Sequence, residues 1–326
     1  MLRLVMETLL SVENLSVRFR RDGRVMAPVR DVSFTIAPGE YAAVVGESGC
    51  GKSMTSLTLT RLSPTDRAEI GGHIIFEGRE LTGLAPEEMR RVRGRGGIAY
   101  IFQDPAGSLN PVMRIGDQIA ECLTGPRCER LAEAEQLLER VGLPDPARAV
   151  RAYPCMFSGG MQQRAMVALA LACKPRLLIA DEPTTALDVT TQRQVLDLID
   201  RLAKETGMAV LLITHNLGLV AGRARNMHVM YAGQIVESGP VEAILKTPQH
   251  PYTVGLLAAV PRLDGPRGQT LQDIPGTVPS PDRWPEGCAF EPRCNRRMPQ
   301  CLTPPSVTQT GARCNRCWLA RTEFRR

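Results

Sequence analysis

The sequence predicts an α/β protein: a parallel core sheet with covering helices, an N-terminal antiparallel β subdomain, an α-helical subdomain and a small cysteine-containing C-terminal extension. Three observations carry that reading. Continuous apolar runs at 41–45, 177–180 and 209–213 have the composition of strands buried on both faces. A glycine-rich segment follows the first run and a pair of acids ends the second, at the strand ends where α/β sheets bind ligands. Past residue 250 the chain turns rich in proline and cysteine, which sets a tail apart from the domain before it.

The N-terminal part alternates in the period of half-buried strands. Leu10 and Val12, Val17 and Phe19, then Val32, Phe34 and Ile36 follow that pattern, with a further strand at 73–77. Next come Gly46, Glu47, Ser48, Gly49, Cys50, Gly51, Lys52 and Ser53, which fit G-x-x-x-x-G-K-[ST], before Met54 and a helix-like stretch. Such glycines permit turns that aim successive N–H groups at phosphate oxygens, and the following helix adds the positive end of its dipole. Lys52 then reaches the β- and γ-phosphates, with the Ser53 hydroxyl on Mg²⁺. Cys50 reads as a small spacer, not a nucleophile.

The run 177–180 ends in Asp181 and Glu182. Asp181 is suited to hold hydrated Mg²⁺ and Glu182 to polarise an attacking water, with capping of the next helix as the plainer alternative. Upstream, Phe157, Ser158, Gly159, Gly160 and Met161 open an apolar helix over 165–172. That is a second anion-binding helix start. One nucleotide has no need of two from the same chain, so the second is expected to serve a phosphate held by a partner, which implies a dimer.

With these segments in this order the chain resembles an ABC-type ATPase subunit, which implies a RecA-like P-loop core binding ATP and Mg²⁺. The resemblance makes Ser158, Gly159, Gly160 and Met161 the signature acting on the partner's ATP. Gln103 matches the glutamine joining the Mg²⁺ region to the membrane subunits, so Mg²⁺ is expected on Ser53, Gln103 and Asp181. Ala186, Leu187 and Asp188 match the D-loop, and His215 the switch histidine at the γ-phosphate. Glu182, His215, Lys52 and Gln103 are the implied catalytic set. Phe19 is the candidate for stacking on adenine, with ordinary strand packing as the alternative. The chain departs from the family pattern at Phe157 for Leu, Met161 for Gln, Asn216 for Asp and Cys155 for His; Ser158 and both glycines of the signature are present, and neither Asn216 nor Cys155 replaces a residue assigned to chemistry.

Helical spacing appears at Leu131, Ala134, Leu138 and Val141 before Gly142, and at Val195, Leu198, Ile199 and Leu202. The first lies where the resemblance places the helical subdomain, at about residues 104–165, which carries the groove for permease coupling helices. An ATPase domain over 8–249 and an extension over 250–326 then account for the length of 326 residues.

Half of the ten cysteines fall between Cys288 and Cys317. A proline-rich tail with little apolar core is expected to need a metal centre as its constraint. No secretory signal is read at the start, where Glu7 interrupts the apolar opening and Met6 is an alternative first residue, so a reducing compartment favours ligation over disulfides. Zinc and an iron–sulfur cluster are both compatible with the spacing, and only Cys314 and Cys317 form a C-x-x-C step.

His250-Pro251-Tyr252-Thr253, Pro275-Gly276, Gly287-Cys288, Pro292-Arg293-Cys294 and the stretch 103–111 are similar to the peptide and nickel importer ATPases. This narrower resemblance implies a [4Fe–4S] cluster on Cys288, Cys294, Cys301 and Cys317, with Cys314 as the rival fourth ligand and zinc as the alternative metal. It implies ATP hydrolysis powering uptake of di- or oligopeptides, or a solute such as a nickel chelate. The expected partners are two transmembrane permease subunits, a second ATPase, taken as a paralogue, and an extracytoplasmic solute-binding protein, with the chain peripheral on the cytoplasmic face of the plasma (inner) membrane.

The net charge of +6 is not read as a nucleic-acid footprint, because Arg90, Arg91, Arg93 and Arg95 carry no interleaved aromatics and suit a solvated face. No apolar run approaches the roughly 20 residues of a membrane span. The competing reading, a soluble ABC ATPase acting on nucleic acid or ribosomes, is expected to bring a long coiled coil or a second cassette, and the chain has neither.

Overall fold

Alternating residues at the N-terminus form two long strands, Leu10–Arg21 and Arg24–Ile36, paired antiparallel from Leu10 opposite Ile36 to Arg21 opposite Arg24. The structure is a computed structural model that describes residues 8–63, 67–185, 187–260 and 273–319. The residues before Thr8, with the alternative start at Met6, and Ala186 of the D-loop match lie outside them. Two compact units are present, one from Met1–Ala37, Tyr41–Gly83 and Thr214–Arg326 and the other from Pro38–Glu40 and Leu84–Ile213, each over its described residues.

In the first unit a four-stranded antiparallel sheet runs in the order Arg24–Ile36, Leu10–Arg21, Glu69–Phe76, Arg79–Glu80. Leu10, Val12, Leu15 and Val17 are buried to 1% exposure or less, each stabilising by roughly 1.5–3 kcal/mol. The three-residue step from Val12 to Leu15 breaks strict alternation. A register shift there, with Asn14 at φ 52°, turns Leu15 back to the core, so the two expected short strands are one.

The strand Tyr41–Val45 pairs parallel with Asn226–Tyr231, which pairs antiparallel with Gln234–Pro240. Two strands of the tail continue this sheet: Arg313–Asn315 pairs with Gln234–Pro240, Glu237 opposite Asn315, and Thr308–Thr310 pairs with Arg313–Asn315. Neither strand was legible as such in the sequence. The tail also holds a helix, Pro251–Ala258, whose first turn is capped by His250 Nδ1 accepting from the Tyr252 N–H at 3.1 Å.

Glu237 is the anchor of this arrangement. Its carboxylate, on a residue 1% exposed, accepts from the Gln249 N–H at 2.9 Å, the His250 N–H at 3.0 Å and Arg313 Nη2 at 2.6 Å. Farther along the tail the Trp284 indole donates to the Ala27 carbonyl at 2.7 Å, and Arg316 pairs with Asp31 at 2.8 Å.

In the second unit three parallel strands, Ile98–Ile101, Leu177–Asp181 and Ala209–Thr214, stand with Leu177–Asp181 in the middle. Every residue of the last two is buried, as continuous apolar runs require. The helix Val189–Thr206 buries Val195, Leu196, Leu198, Ile199 and Leu202 and stops at Gly207, whose φ of 70° ends the helical path. Arg127–Arg140 buries Ala134, Leu137 and Leu138. Its end is tied to the helix Gly159–Ala172 by Arg164, which donates to the Val141 carbonyl at 2.7 Å.

Two histidines of the first unit are buried, and burial lowers His228 to about 4 and His250 to about 3. Both are neutral when folded and take up a proton near pH 6.5 when unfolded, so their contribution is present above pH 6.5 and is lost as pH falls toward those folded values. Between pH 7 and pH 5 each should cost about 2 kcal/mol of stability. Urea unfolding of the His228→Phe variant should show about half the acid loss of the parent chain; an equal loss in both proteins refutes the assignment.

Candidate functional site

The segment after Tyr41–Val45 is a tight loop in which two of the glycines, Gly46 and Gly51, have no room for a side chain. A Cβ on Gly46 would lie 2.2 Å from the Met230 carbonyl oxygen, and one on Gly51 2.4 Å from that of Pro28, with Gly51 at φ 105° in the left-handed region. The turn is anchored from the neighbouring hairpin by the Gly233 N–H, which donates to the Cys50 carbonyl at 2.8 Å. From it springs the helix Lys52–Leu59. Lys52 is 4% exposed, and its ammonium folds back over the loop to donate to the Gly46 carbonyl at 2.9 Å and the Glu47 carbonyl at 3.0 Å. Ser53 and Met54 follow it, both half-buried. Burial raises the Cys50 thiol above its ordinary range, in keeping with a spacer.

Glu47 is held at three points. Its N–H donates to the Tyr252 hydroxyl at 2.8 Å, its carbonyl accepts from Lys52, and its carboxylate accepts from Arg293 Nη1 at 2.8 Å and Nη2 at 2.9 Å. Arg293 also donates to the carbonyls of Pro275, Ile274 and Gly276 and to the Tyr231 hydroxyl. Burial alone lowers a guanidinium's pKa, but the hydrogen bonds to Glu47 and Tyr231 outweigh it and hold Arg293 above its usual range. Sequence reasoning missed Tyr252 and Arg293 as neighbours of the loop. Their motifs were visible, but no local spacing reports a contact across more than 200 residues.

In the second unit Asp181 and Glu182 close the strand Leu177–Asp181, at 4% and 9% exposure. The Tyr100 hydroxyl donates to Asp181 at 2.8 Å, a contact the sequence did not signal. Glu182 accepts from Gln103 Nε2 at 3.3 Å and from the Thr185 hydroxyl at 3.1 Å, which brings the expected glutamine and the expected base together. Glu182 sits at φ 45°, a conformation that costs a non-glycine residue on the order of 1 kcal/mol or more. Its N–H donates to the Ile213 carbonyl at 2.9 Å, which helps hold that backbone. The oxygen donors of Asp181, Glu182 and Gln103, like the Ser53 hydroxyl, suit Mg²⁺ by chemistry.

Gly159 begins its helix directly, six residues earlier than the apolar stretch suggested, with Ser158 as N-cap accepting from the Met161 N–H at 3.4 Å. Ser158 and Gly159 are exposed. A Cβ on Gly160 would meet Thr191 at 2.9 Å, so the signature lies against the start of the helix Val189–Thr206. Asp188 caps that helix, accepting from the Thr191 N–H at 2.9 Å and its hydroxyl at 2.7 Å; these bonds hold its carboxyl below the usual range. His215 is exposed just past the strand Ala209–Thr214, and Phe19 is half-buried opposite Met26.

The metal centre expected in the tail is corrected. Among the described residues no group of three or more His, Cys, Asp or Glu side chains is arranged to hold a metal ion, so neither a [4Fe–4S] cluster nor zinc is supported at Cys288, Cys294, Cys301, Cys314 or Cys317. Burial, reinforced by the nearby thiols of Cys301, Cys317 and Cys294, pushes the Cys288 thiol up to about 11. Burial also raises Cys294. Cys314 sits in the strand Arg313–Asn315, opposite Ser238. The constraint assigned to a metal comes instead from strand pairing, from the buried Glu237 and Arg293 bonds, and from the Cys288 N–H donating to the Cys301 carbonyl at 2.8 Å.

Comparison with known proteins places this geometry among relatives. Residues 29–185 match the ABC transporter family and residues 236–301 match the oligopeptide/dipeptide transporter C-terminal region. A Brucella abortus (strain 2308) protein, named provisionally for peptide import ATP binding, is 48% identical over 95% of this chain and 94% of its own length. A similarly named protein of Brucella ovis is 48% identical over 95% and 97%. An ATP-binding cassette solved as a dimer in a post-hydrolysis state with ADP and Pi shares the fold, with a TM-score of 0.64 at 24% identity over 71% of this chain and 98% of that one. The cbiO1 subunit of Clostridium perfringens, part of the ABC transporter complex cbiONQ, aligns with a TM-score of 0.62 at 22% identity over 74% and 91%.

The loop's lack of room is directly testable. Gly51→Ala combines a left-handed backbone with a clash against Pro28 and should cost about 2–4 kcal/mol in urea unfolding; a loss below about 0.5 kcal/mol removes the steric account.

Proposed function

The chain belongs to the ABC transporter family, in the branch with the oligopeptide/dipeptide transporter C-terminal region, and we propose that it is the ATP-hydrolysing subunit of a peptide importer. It drives uptake of di- or oligopeptides, or of a related solute such as a nickel chelate, through separate membrane subunits. The observation that carries this reading is the 48% identity to peptide-import ATP-binding relatives across 95% of the chain, joined to the glycine-bound loop that folds Lys52 over itself.

In this reading the ATPase domain spans 8–249 and the extension 250–326. The loop's backbone N–H groups and Lys52 hold the phosphates of Mg²⁺-ATP, and Ser53, Gln103 and Asp181 supply oxygen ligands to the metal. The metal, when bound, neutralises phosphate charge. Glu182 takes the proton of the attacking water, and the bonds from Gln103 and Thr185 orient its carboxylate. His215 stabilises charge on the γ-phosphate. Phe19 stacks on the adenine. Asp188 fixes the start of the helix behind the signature, and Ser158, Gly159, Gly160 and Met161 address the nucleotide of a second ATPase, taken as a paralogue.

No helix among the described residues is long and apolar enough to cross a membrane. We assign translocation to two permease subunits, delivery of solute to an extracytoplasmic binding protein, and this chain to the cytoplasmic face of the membrane.

Glu182→Gln keeps the shape of the side chain and removes the base, so ATP turnover should fall by about 10²–10⁴-fold while ATP still binds; full turnover in this variant sinks the catalytic assignment. Affinity isolation of the tagged chain from native membranes in mild detergent, read by mass spectrometry, should return two polytopic permeases and a second ATPase. Recovery of ribosomal or DNA-bound partners instead favours the soluble alternative.

A further inference from the structure

Three residues bond to Glu47, and two of them, Tyr252 and Arg293, come from outside the ATPase segment. We propose that Arg293, from the C-terminal extension, is a positioning residue for nucleotide binding, acting through Glu47 to hold the phosphate loop in shape and to cancel a negative charge within it. The inference rests on the ATP-binding reading given above.

The geometry argues for a specific device. The guanidinium meets both carboxylate oxygens of Glu47, at 2.8 and 2.9 Å, with a side chain only 5% exposed. Its remaining N–H groups are spent on the carbonyls of Ile274, Pro275 and Gly276 and on the Tyr231 hydroxyl. A planar fork held at both ends fixes position in a way that a point charge cannot. Tyr252, fully buried, accepts from the Glu47 N–H, so backbone and side chain of the same loop residue are held by the extension. On its other side the Glu47 carbonyl receives Lys52. The phosphate-directed lysine and the extension are therefore one residue apart.

Charge supplies the second argument. A loop that gathers polyanionic phosphate carries one carboxylate of its own, and at 29% side-chain exposure that carboxylate is only partly screened by water. Paired with Arg293 it is neutralised. Left alone, it repels the phosphates the loop collects and is free to pull the Glu47 backbone away from Lys52. A plain structural staple requires only that the extension stay attached, and strand pairing at Gln234–Pro240 already does that.

The test uses the full-length chain, a fluorescent ATP analogue with Mg²⁺, and thermal unfolding as the control for folding. Arg293→Gln should raise the Kd by about tenfold, the scale of one lost charge interaction, and should raise KM far more than it changes kcat. Added salt should shrink the deficit. Removing both charges in a Glu47→Gln, Arg293→Gln double variant should bring the Kd back to within about threefold of the parent, because the residual loss is that of a neutral bond.

An unchanged Kd in Arg293→Gln overturns the inference, and so does a double variant as weak as the single one. Should Arg293→Gln fail to fold, Arg293→Lys, which keeps the charge and loses the fork, should show a rise of about threefold, and no rise overturns the proposal. Failure of the parent chain to bind the analogue is a different result, since it removes the ATP-binding reading itself.

Discussion

Taking a carboxylate out of water costs several kcal/mol unless its lone pairs are met, and the attachment of the C-terminal extension turns on one such group. Glu237 lies inside the sheet of the first unit, and its carboxylate is met by the N–H groups of Gln249 and His250, where the chain turns, and by Arg313, which arrives from the last strand pair. That single set of bonds fixes the start of the helix Pro251–Ala258 and the register of Arg313–Asn315 together. Tyr252 is the second residue of that helix, so its approach to Glu47 follows from how Glu237 is satisfied.

The phosphate loop was legible because its chemistry is local. Glycine at 46, 49 and 51 with lysine at 52 is a pattern whose geometry depends on neighbours in sequence, and the fully buried strands were visible as uninterrupted apolar runs. Strand length was less visible: the shift at Asn14 hid the continuity of Leu10–Arg21. In the tail, short strands such as Thr308–Thr310 carry no apolar signal, because their pairing with the main sheet is backbone work. With that support unseen, the cysteines were the only constraint the composition offered. The expected metal centre rested on missing stability and on the resemblance, and the stability is supplied by long-range hydrogen bonds.

At the acidic strand end the local energetics run against each other in an informative way. Glu182 adopts a left-handed backbone and lies almost entirely out of solvent, two unfavourable conditions for a charged, non-glycine residue. Its backbone N–H is tied to Ile213 and its carboxylate to Gln103 and Thr185. These bonds hold one carboxylate in a fixed direction against the cost of its backbone conformation.

The outermost strand of the first unit's sheet has a consequence of its own. Thr308–Thr310 is three residues long and polar, and beneath it Arg313–Asn315 covers the open side of Gln234–Pro240. A chain ending before this pair presents the seven-residue Gln234–Pro240 as a bare edge, with unpaired N–H and C=O groups able to template another strand. The extension therefore serves as a selvedge that keeps the sheet from joining its neighbour's, and truncation exposes that edge to self-association.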